Sequence, residues 1–393
     1  MITQLRFKNW RSLKDVTIDD LGKITVFIGA NSSGKTNIID ALDFRRDSLL
    51  KGLVSTVQDM GYIKIQTDAL HNDEAVELIY GYRLESIQSE IIEEIGLRFD
   101  KRDVPFQYRK QLFENNVLLE KENFRELPVR DVFESGSSYW AETEEGRRIE
   151  RARELSSKLY RLILKRWQIL GDNFNPPLSL SRNQSGDLYT IERDGGNTLR
   201  ILELMMNAHL DLYERLQEDL HYILDHVSKL RILRQQQTGE IRLRIDETSG
   251  KTAPTISAGT ARLTAILTAI YALDMPQQAS NFNDNEVLTA ADPGLVVIEE
   301  PDMGLNPGVL RRFVEQLRNY VDGPNPRQII MTTHNPAFLD YFEPEEVRVV
   351  ERNEEGYTIV NKIPDYIKEI WLKDGEYGLG EVWTTRSFGG VPE

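Results

Sequence analysis

Apolar residues along this chain gather in three short unbroken runs and in two longer stretches at helical spacing. ITVFI at 24–28, GLVVI at 294–298 and QIIMTT at 328–333 are each bounded by Gly, Pro or Asn, and such runs predict buried strands. A helix-like stretch from Thr36 to about Arg46 follows the first run, so strand, loop and helix succeed one another there. Between 200 and 231, Leu202, Met206, Tyr213, Leu216, Leu220, Ile223, Val227 and Leu230 recur every three or four residues, with His209 on the seam. That spacing predicts one long amphipathic helix. A second helix-like stretch runs from about 147 to 170, with Leu155, Leu159 and Leu162 on one stripe.

Short buried strands separated by helices predict an α/β fold with a mainly parallel sheet. The first strand lies far from the other two in sequence. We therefore expect two halves of one head, 1–95 and 239–393, separated by a helical insertion over 96–238. The insertion would be an antiparallel hairpin or small bundle; the alternative is that these helices pack on the sheet as core.

Composition narrows the chemistry. Of 393 residues, 40 % are hydrophobic, enough for a sizeable core. The absence of cysteine rules out disulfides, thiolate zinc sites and cysteine nucleophiles. The N-terminal sequence MITQLRFKNW resembles no signal peptide, and no run of about 18 apolar residues follows, so the expected location is cytoplasmic, with no membrane partner. A net charge of −15 disfavours indiscriminate contact with nucleic acid unless cations cluster locally.

Four segments carry chemistry. Gly29-Ala30-Asn31-Ser32-Ser33-Gly34-Lys35-Thr36 is a complete GxxxxGK[ST] between a predicted strand and helix, the P-loop pattern. Its glycines let backbone N–H groups turn toward phosphate, Lys35 places a charge on the β- and γ-phosphates, and Thr36 offers a hydroxyl to Mg²⁺. The strand at 294–298 ends in Glu299-Glu300; because side chains alternate, the two carboxylates should face different ways and do different work. One can hold the Mg²⁺ shell while the other polarises an attacking water. Thr332-Thr333-His334-Asn335-Pro336 follows the third strand, where His334 could hydrogen-bond the γ-phosphate or the water. Finally, Thr255 to Leu263 leads into an apolar helix running to Leu273, with Ser257 as its expected N-cap and small residues that favour an anion at its N-terminus.

In this order the segments resemble the ABC-type ATPase heads of the RecF, SMC and Old group. The opening LRFKNWRSLKDVTIDDLGKITVFIGANSSGKTNIIDAL is similar to the family's first strand, its FRS-like loop and its Walker A motif. ISAGTARLTAILTAI resembles the Old-type signature helix written SDGTLR, from which Ala258 and Ala261 depart; VVIEEPDMGLNP resembles Walker B and D-loop, TTHNP the H-loop, and GEVWTTRSFGGVPE the tails of Old-like ATPases. The resemblance covers about 1–85 and 240–393. It implies a P-loop NTPase of ABC-ATPase type that uses ATP and Mg²⁺. Phosphate-binding roles fall to Gly29, Asn31, Ser32, Ser33, Gly34, Lys35, Thr36 and Asn37, metal-side roles to Thr36 and Glu299, the general base to Glu300, and γ-phosphate sensing to His334. Ser257 and Gly259 would serve a neighbouring subunit, since the family sandwiches ATP between two heads, which implies a homodimer or higher oligomer. Arg11 is a further candidate for phosphate contact, and Gln58 and Gln66 lie in the region of the family's Q-loop.

Too few residues follow His334 for the TOPRIM nuclease domain of Old proteins, so DNA cleavage within this chain is not expected. The resemblance implies an ATPase switch or sensor controlling a separately encoded nuclease or toxin in anti-phage defence. The alternative is a RecF-type repair or recombination ATPase that binds DNA directly. A basic stretch over 147–167, with Arg147, Arg148, Arg151, Arg153, Lys158, Arg161, Lys165 and Arg166, is the candidate nucleic-acid surface.

Overall fold

The three apolar runs lie side by side in one sheet. The structure is a computed structural model, described over residues 1–67, 74–84, 88–98, 107–121, 125–126, 144–172, 174–180, 188–275, 294–325, 327–367, 369 and 377–390. β3 (Ile24–Ile28), β14 (Arg327–Thr333) and β13 (Gly294–Glu299) are parallel neighbours, flanked by β9 (Trp167–Leu170) on one side and by β15 (Val347–Arg352) with antiparallel β16 (Thr358–Lys362) on the other. Ile24 to Ile28 pair with 329–333 at the far end of the chain, so the two motif-bearing ends are hydrogen-bonded to each other.

Continuous apolar character follows from burial on both faces of a parallel sheet. Val26, Val296, Ile298 and Met331 point into one core, Phe27, Val297 and Ile330 into the other. The second core is roofed by an antiparallel sheet in the order β2-β1-β4-β5-β6-β7, with β8 beside β6. These strands are β1 (Ile2–Trp10), β2 (Leu13–Ile18), β4 (Val76–Leu84), β5 (Ser89–Arg98), β6 (Gln107–Glu114), β7 (Val117–Lys121) and β8 (Arg125–Glu126). Between the sheets lies α1 (Lys35–Leu50), followed by the short helices α2 (Leu53–Met60) and α3 (Tyr62–Ile65). α4 (Glu144–Arg166) adds Ala152, Leu155, Leu159, Leu162 and Ile163 to the same core.

The first core is built from α5 (Thr198–Ala208), α6 (Leu210–Ile223), α7 (Ala258–Ala272) and α8 (Pro307–Asp322), together with a small sheet of β10 (Ser179–Leu180), β12 (Ile241–Glu247) and β11 (Val227–Arg234).

Two expectations need correction. The helix expected over 200–231 is two helices and a strand. His209 leaves helical geometry at φ −139°, ψ 59°, breaking the run, and Val227 and Leu230 belong to β11. They fit a helical spacing because a bulge between Val227 and Lys229 shifts the strand's alternation by one residue. The segment 96–238 is likewise no helical insertion. It carries β6, β7, β8, β10 and β11, and its β9 is an edge strand of the central sheet, while α4, α5 and α6 pack as core.

Candidate functional site

The loop after β3 is shaped by contacts that only glycine permits. A Cβ on Gly29 would lie 2.0 Å from the Val350 carbonyl oxygen, and one on Gly34 would lie 2.1 Å from Thr358 Oγ1. Gly34 also has φ +112°, the left-handed region that glycine enters without strain. Thr358 Oγ1 donates to the Ser33 carbonyl (2.8 Å) and Arg352 Nε to that of Ser32 (2.9 Å), so β15 and β16 brace the loop from outside. Lys35, at the first position of α1, folds back and donates to the Gly29 and Ala30 carbonyls at 2.8 and 2.9 Å. Its burial lowers its pKa.

Beside the loop is a cleft of about 390 Å³ lined by Asn31, Ser32, Gly34, Lys35, Thr36, Asn37, Asp172, Glu299, Glu300, Met303, Thr332 and Arg352. It lies at the C-terminal ends of the parallel strands, where open α/β sheets hold their ligands. Asn37 also ties the helix to the β1–β2 turn through its amide on Ser12 Oγ (2.6 Å). Arg11, in that turn, pairs with Asp40 of α1 and reaches Asn37 Oδ1 at 3.4 Å.

The two acids at the end of β13 diverge. Glu299 is 1 % exposed and accepts from Thr36 Oγ1 at 2.8 Å on one carboxylate oxygen and from Arg193 at 2.7 Å on the other. Burial raises its pKa, against the lowering effects of Arg193 and Thr36. Glu300 turns the other way, with Oε1 2.8 Å from His334 Nδ1. Its backbone is left-handed, φ +48°, a costly conformation for a residue with a Cβ. That conformation is held by its N–H on the Thr332 carbonyl (3.1 Å) and by Arg262 of α7, which donates to the Glu300 carbonyl at 3.1 Å. Arg262 also donates to the Phe174 carbonyl at 2.7 Å and lies over that residue's ring.

Ser257 caps α7, accepting from the Thr260 N–H at 3.1 Å. Neither Ser257 nor Gly259 lines the cleft. Gly259 has a structural duty within its own chain, since a Cβ there would sit 2.3 Å from the Gly304 carbonyl oxygen. The helix N-terminus and the Asp302 to Leu305 turn are thereby pressed together. Gln58 and Gln66 do not line the cleft. The strand end beside β13 instead supplies Asp172, at the close of WQILGD. An acid just past a short apolar run was a readable signal, and Arg262 stands in the signature-like segment, though nothing there pointed to its contact with the Glu300 carbonyl; Arg193 left none.

The residues suit a magnesium nucleotide. The Thr36 hydroxyl donates a hydrogen bond to Glu299 and keeps its lone pairs, Glu299 is at hand as an oxygen ligand, and the Ser33 hydroxyl is buried without a hydrogen-bond partner. Among the described residues no group of three or more His, Asp and Glu side chains could hold a metal alone; a magnesium ion characteristically completes its shell with substrate phosphates and waters.

Loop, acid pair and sheet order together define a P-loop NTPase fold of the ABC-ATPase type. The chain belongs to the family described as "AAA domain, putative AbiEii toxin, Type IV TA system", which matches residues 24–340. An uncharacterized protein of Methanocaldococcus jannaschii is 43 % identical over 61 residues, which are 15 % of this chain and 18 % of that protein. The match thus spans under a fifth of that relative's length. Among solved structures, an Smc head bound to the C-terminal winged-helix domain of ScpA superposes with a TM-score of 0.53 at 14 % identity, covering 93 % of this chain and 99 % of that one. An Smc head with an extended coiled coil bound to the C-terminal domain of ScpA, from Pyrococcus furiosus, gives 0.51 at 14 % identity, over 95 % and 98 %. These likenesses establish the fold.

Proposed function

We propose that this chain binds ATP with Mg²⁺ in the cleft beside Lys35 and hydrolyses it. The observation that carries the proposal is the divergence of the acid pair, Glu299 toward Thr36 and Glu300 toward His334. Lys35, Thr36 and the loop amides hold the phosphates, and Thr36 and Glu299 hold the ion, which neutralises charge on the phosphates. Glu300 takes the proton of the attacking water. His334 meets the Glu300 carboxylate at 2.8 Å and is assigned to sensing the γ-phosphate from beside the cleft, which it does not itself line.

Ser257 and Gly259, being outside the cleft, are assigned to the nucleotide of a second head, so ATP joins two copies. The resulting opening and closing is a switch, which we assign to control of a separately encoded nuclease or toxin in phage defence; the toxin–antitoxin wording of the family description supports that context. Part of the basic stretch behind the RecF-like alternative is engaged within the chain. In α4, Arg151 is engaged by Glu114 and Glu154, and Lys158 by Glu154, so these cations are neutralised within the chain; the side chains of Arg161 and Lys165 lie outside the described residues. No described helix is long and apolar enough to cross a membrane.

Sedimentation velocity of the Glu300→Gln protein tests the two-head proposal. With ATP and Mg²⁺ at micromolar protein we expect a dimer that ADP does not support. A species that stays monomeric with ATP bound would remove Ser257 and Gly259 from the site.

A further inference from the structure

Arg193, which no motif contains, reaches the carboxylate of Glu299 from the acid-rich side of the site. Its guanidinium donates to Asp43 of α1 at 3.1 Å and to Glu299 at 2.7 Å, and it also pairs with Asp40. The two aspartates have other cations: Arg11 pairs with Asp40, and Arg46 with Asp43 at 2.7 Å. Glu299 does not. Among the described residues Arg193 is the only cation in ion-pair contact with it.

The arginine is held there by its backbone. Its carbonyl accepts from the Gly171 N–H at 2.9 Å, the Asp194 carbonyl accepts from the Asn175 N–H at 3.0 Å, and the Asn197 side chain accepts from the Glu192 N–H at 2.8 Å. Gly171 leaves the space the side chain runs through, since a Cβ there would lie 2.7 Å from Arg193 Nε. A rigid turn thus delivers one positive charge to the buried carboxylate that faces Thr36.

We propose that Arg193 is a tethered cation that competes with the divalent ion for Glu299, so that it sets how much metal the site needs before nucleotide is held. This rests on the reading of Glu299 as the metal-side carboxylate. In the arrangement seen here both Glu299 oxygens are engaged, one by Thr36 and one by Arg193. A divalent ion arriving at this carboxylate meets a like charge within a few ångströms, where charges interact strongly because water is scarce. Removing that charge leaves Asp40 and Asp43 with their own arginines and leaves Glu299 free for metal.

The test is the Mn²⁺ dependence of binding of a fluorescent ATP analogue, in wild type, Arg193→Gln, Arg193→Lys and Gly171→Ala. Arg193→Gln should lower the Mn²⁺ midpoint about tenfold or more, the scale of one unit charge at close range. Arg193→Lys, which keeps the charge, should stay near wild type. Gly171→Ala alters no residue that lines the cleft and should shift the midpoint in the same direction as Arg193→Gln by displacing the Arg193 side chain; it decides the matter if Arg193→Gln does not fold. An unchanged or raised midpoint in variants that bind the analogue overturns the competition. If no protein, wild type included, binds the analogue at any Mn²⁺ concentration, the nucleotide site itself is refuted.

Discussion

Glu300→Gln should retain ATP and lose hydrolysis by about 10²- to 10⁴-fold, the usual worth of a positioned general base. The amide has the shape of the acid and can still meet His334. What it cannot do is accept a proton from water. The left-handed backbone at 300 is enforced by Thr332 and Arg262 through main-chain atoms, so the substitution leaves that geometry in place. Single-turnover hydrolysis measured beside equilibrium ATP binding checks this. A wild-type hydrolysis rate would assign the base elsewhere.

Lys35→Ala should act on binding instead. The ammonium is buried within the loop and already held by two carbonyls, so it meets phosphate pre-positioned. A charged hydrogen bond is worth about 1.5–3 kcal/mol, or roughly ten- to a hundredfold in affinity. Calorimetric titration with ATP should show that loss with Glu300 intact. Lys35→Arg should rescue poorly, because the planar fork is bulkier than the ammonium that fits between the Gly29 and Ala30 carbonyls. Wild-type affinity in Lys35→Ala would place the nucleotide elsewhere.

The head was legible wherever burial left an unambiguous mark. β3, β13 and β14 are buried on both faces, so each carries an unbroken apolar run, in β14 only Ile329 to Met331, and the segments at their C-terminal ends supply much of the cleft lining. Ser257 as the cap of α7 was legible for a local reason, a small hydroxyl before an apolar helix. The middle was not. β9 has four residues and follows α4 directly, so its apolar side chains continue a helical stripe and conceal the change to a strand. β6, QYRKQLFE, carries too many polar residues to announce itself, because its pairing with β5 and β7 supplies what its side chains do not. Arg193 could not be found from sequence, since the carboxylates it joins lie 153 and 106 residues away and are brought to it only by the fold.

Gly259 shows the limit of carrying a motif over by resemblance. Its place in the signature pattern suggests a phosphate contact in a neighbour, while its contact with Gly304 is a demand of its own chain. Substituting it would disturb the Asp302 to Leu305 turn as well as any partner. Ser257 is the cleaner probe of a shared site.

The measurement that bears most directly on the ATPase head is phosphate release from ATP by the purified wild-type chain with Mg²⁺, across a range of protein concentrations. Hydrolysis that requires Mg²⁺, is abolished in Glu300→Gln and rises more than proportionally with protein concentration is the expected result. No phosphate release at any concentration, or release that persists undiminished in Glu300→Gln, would contradict it.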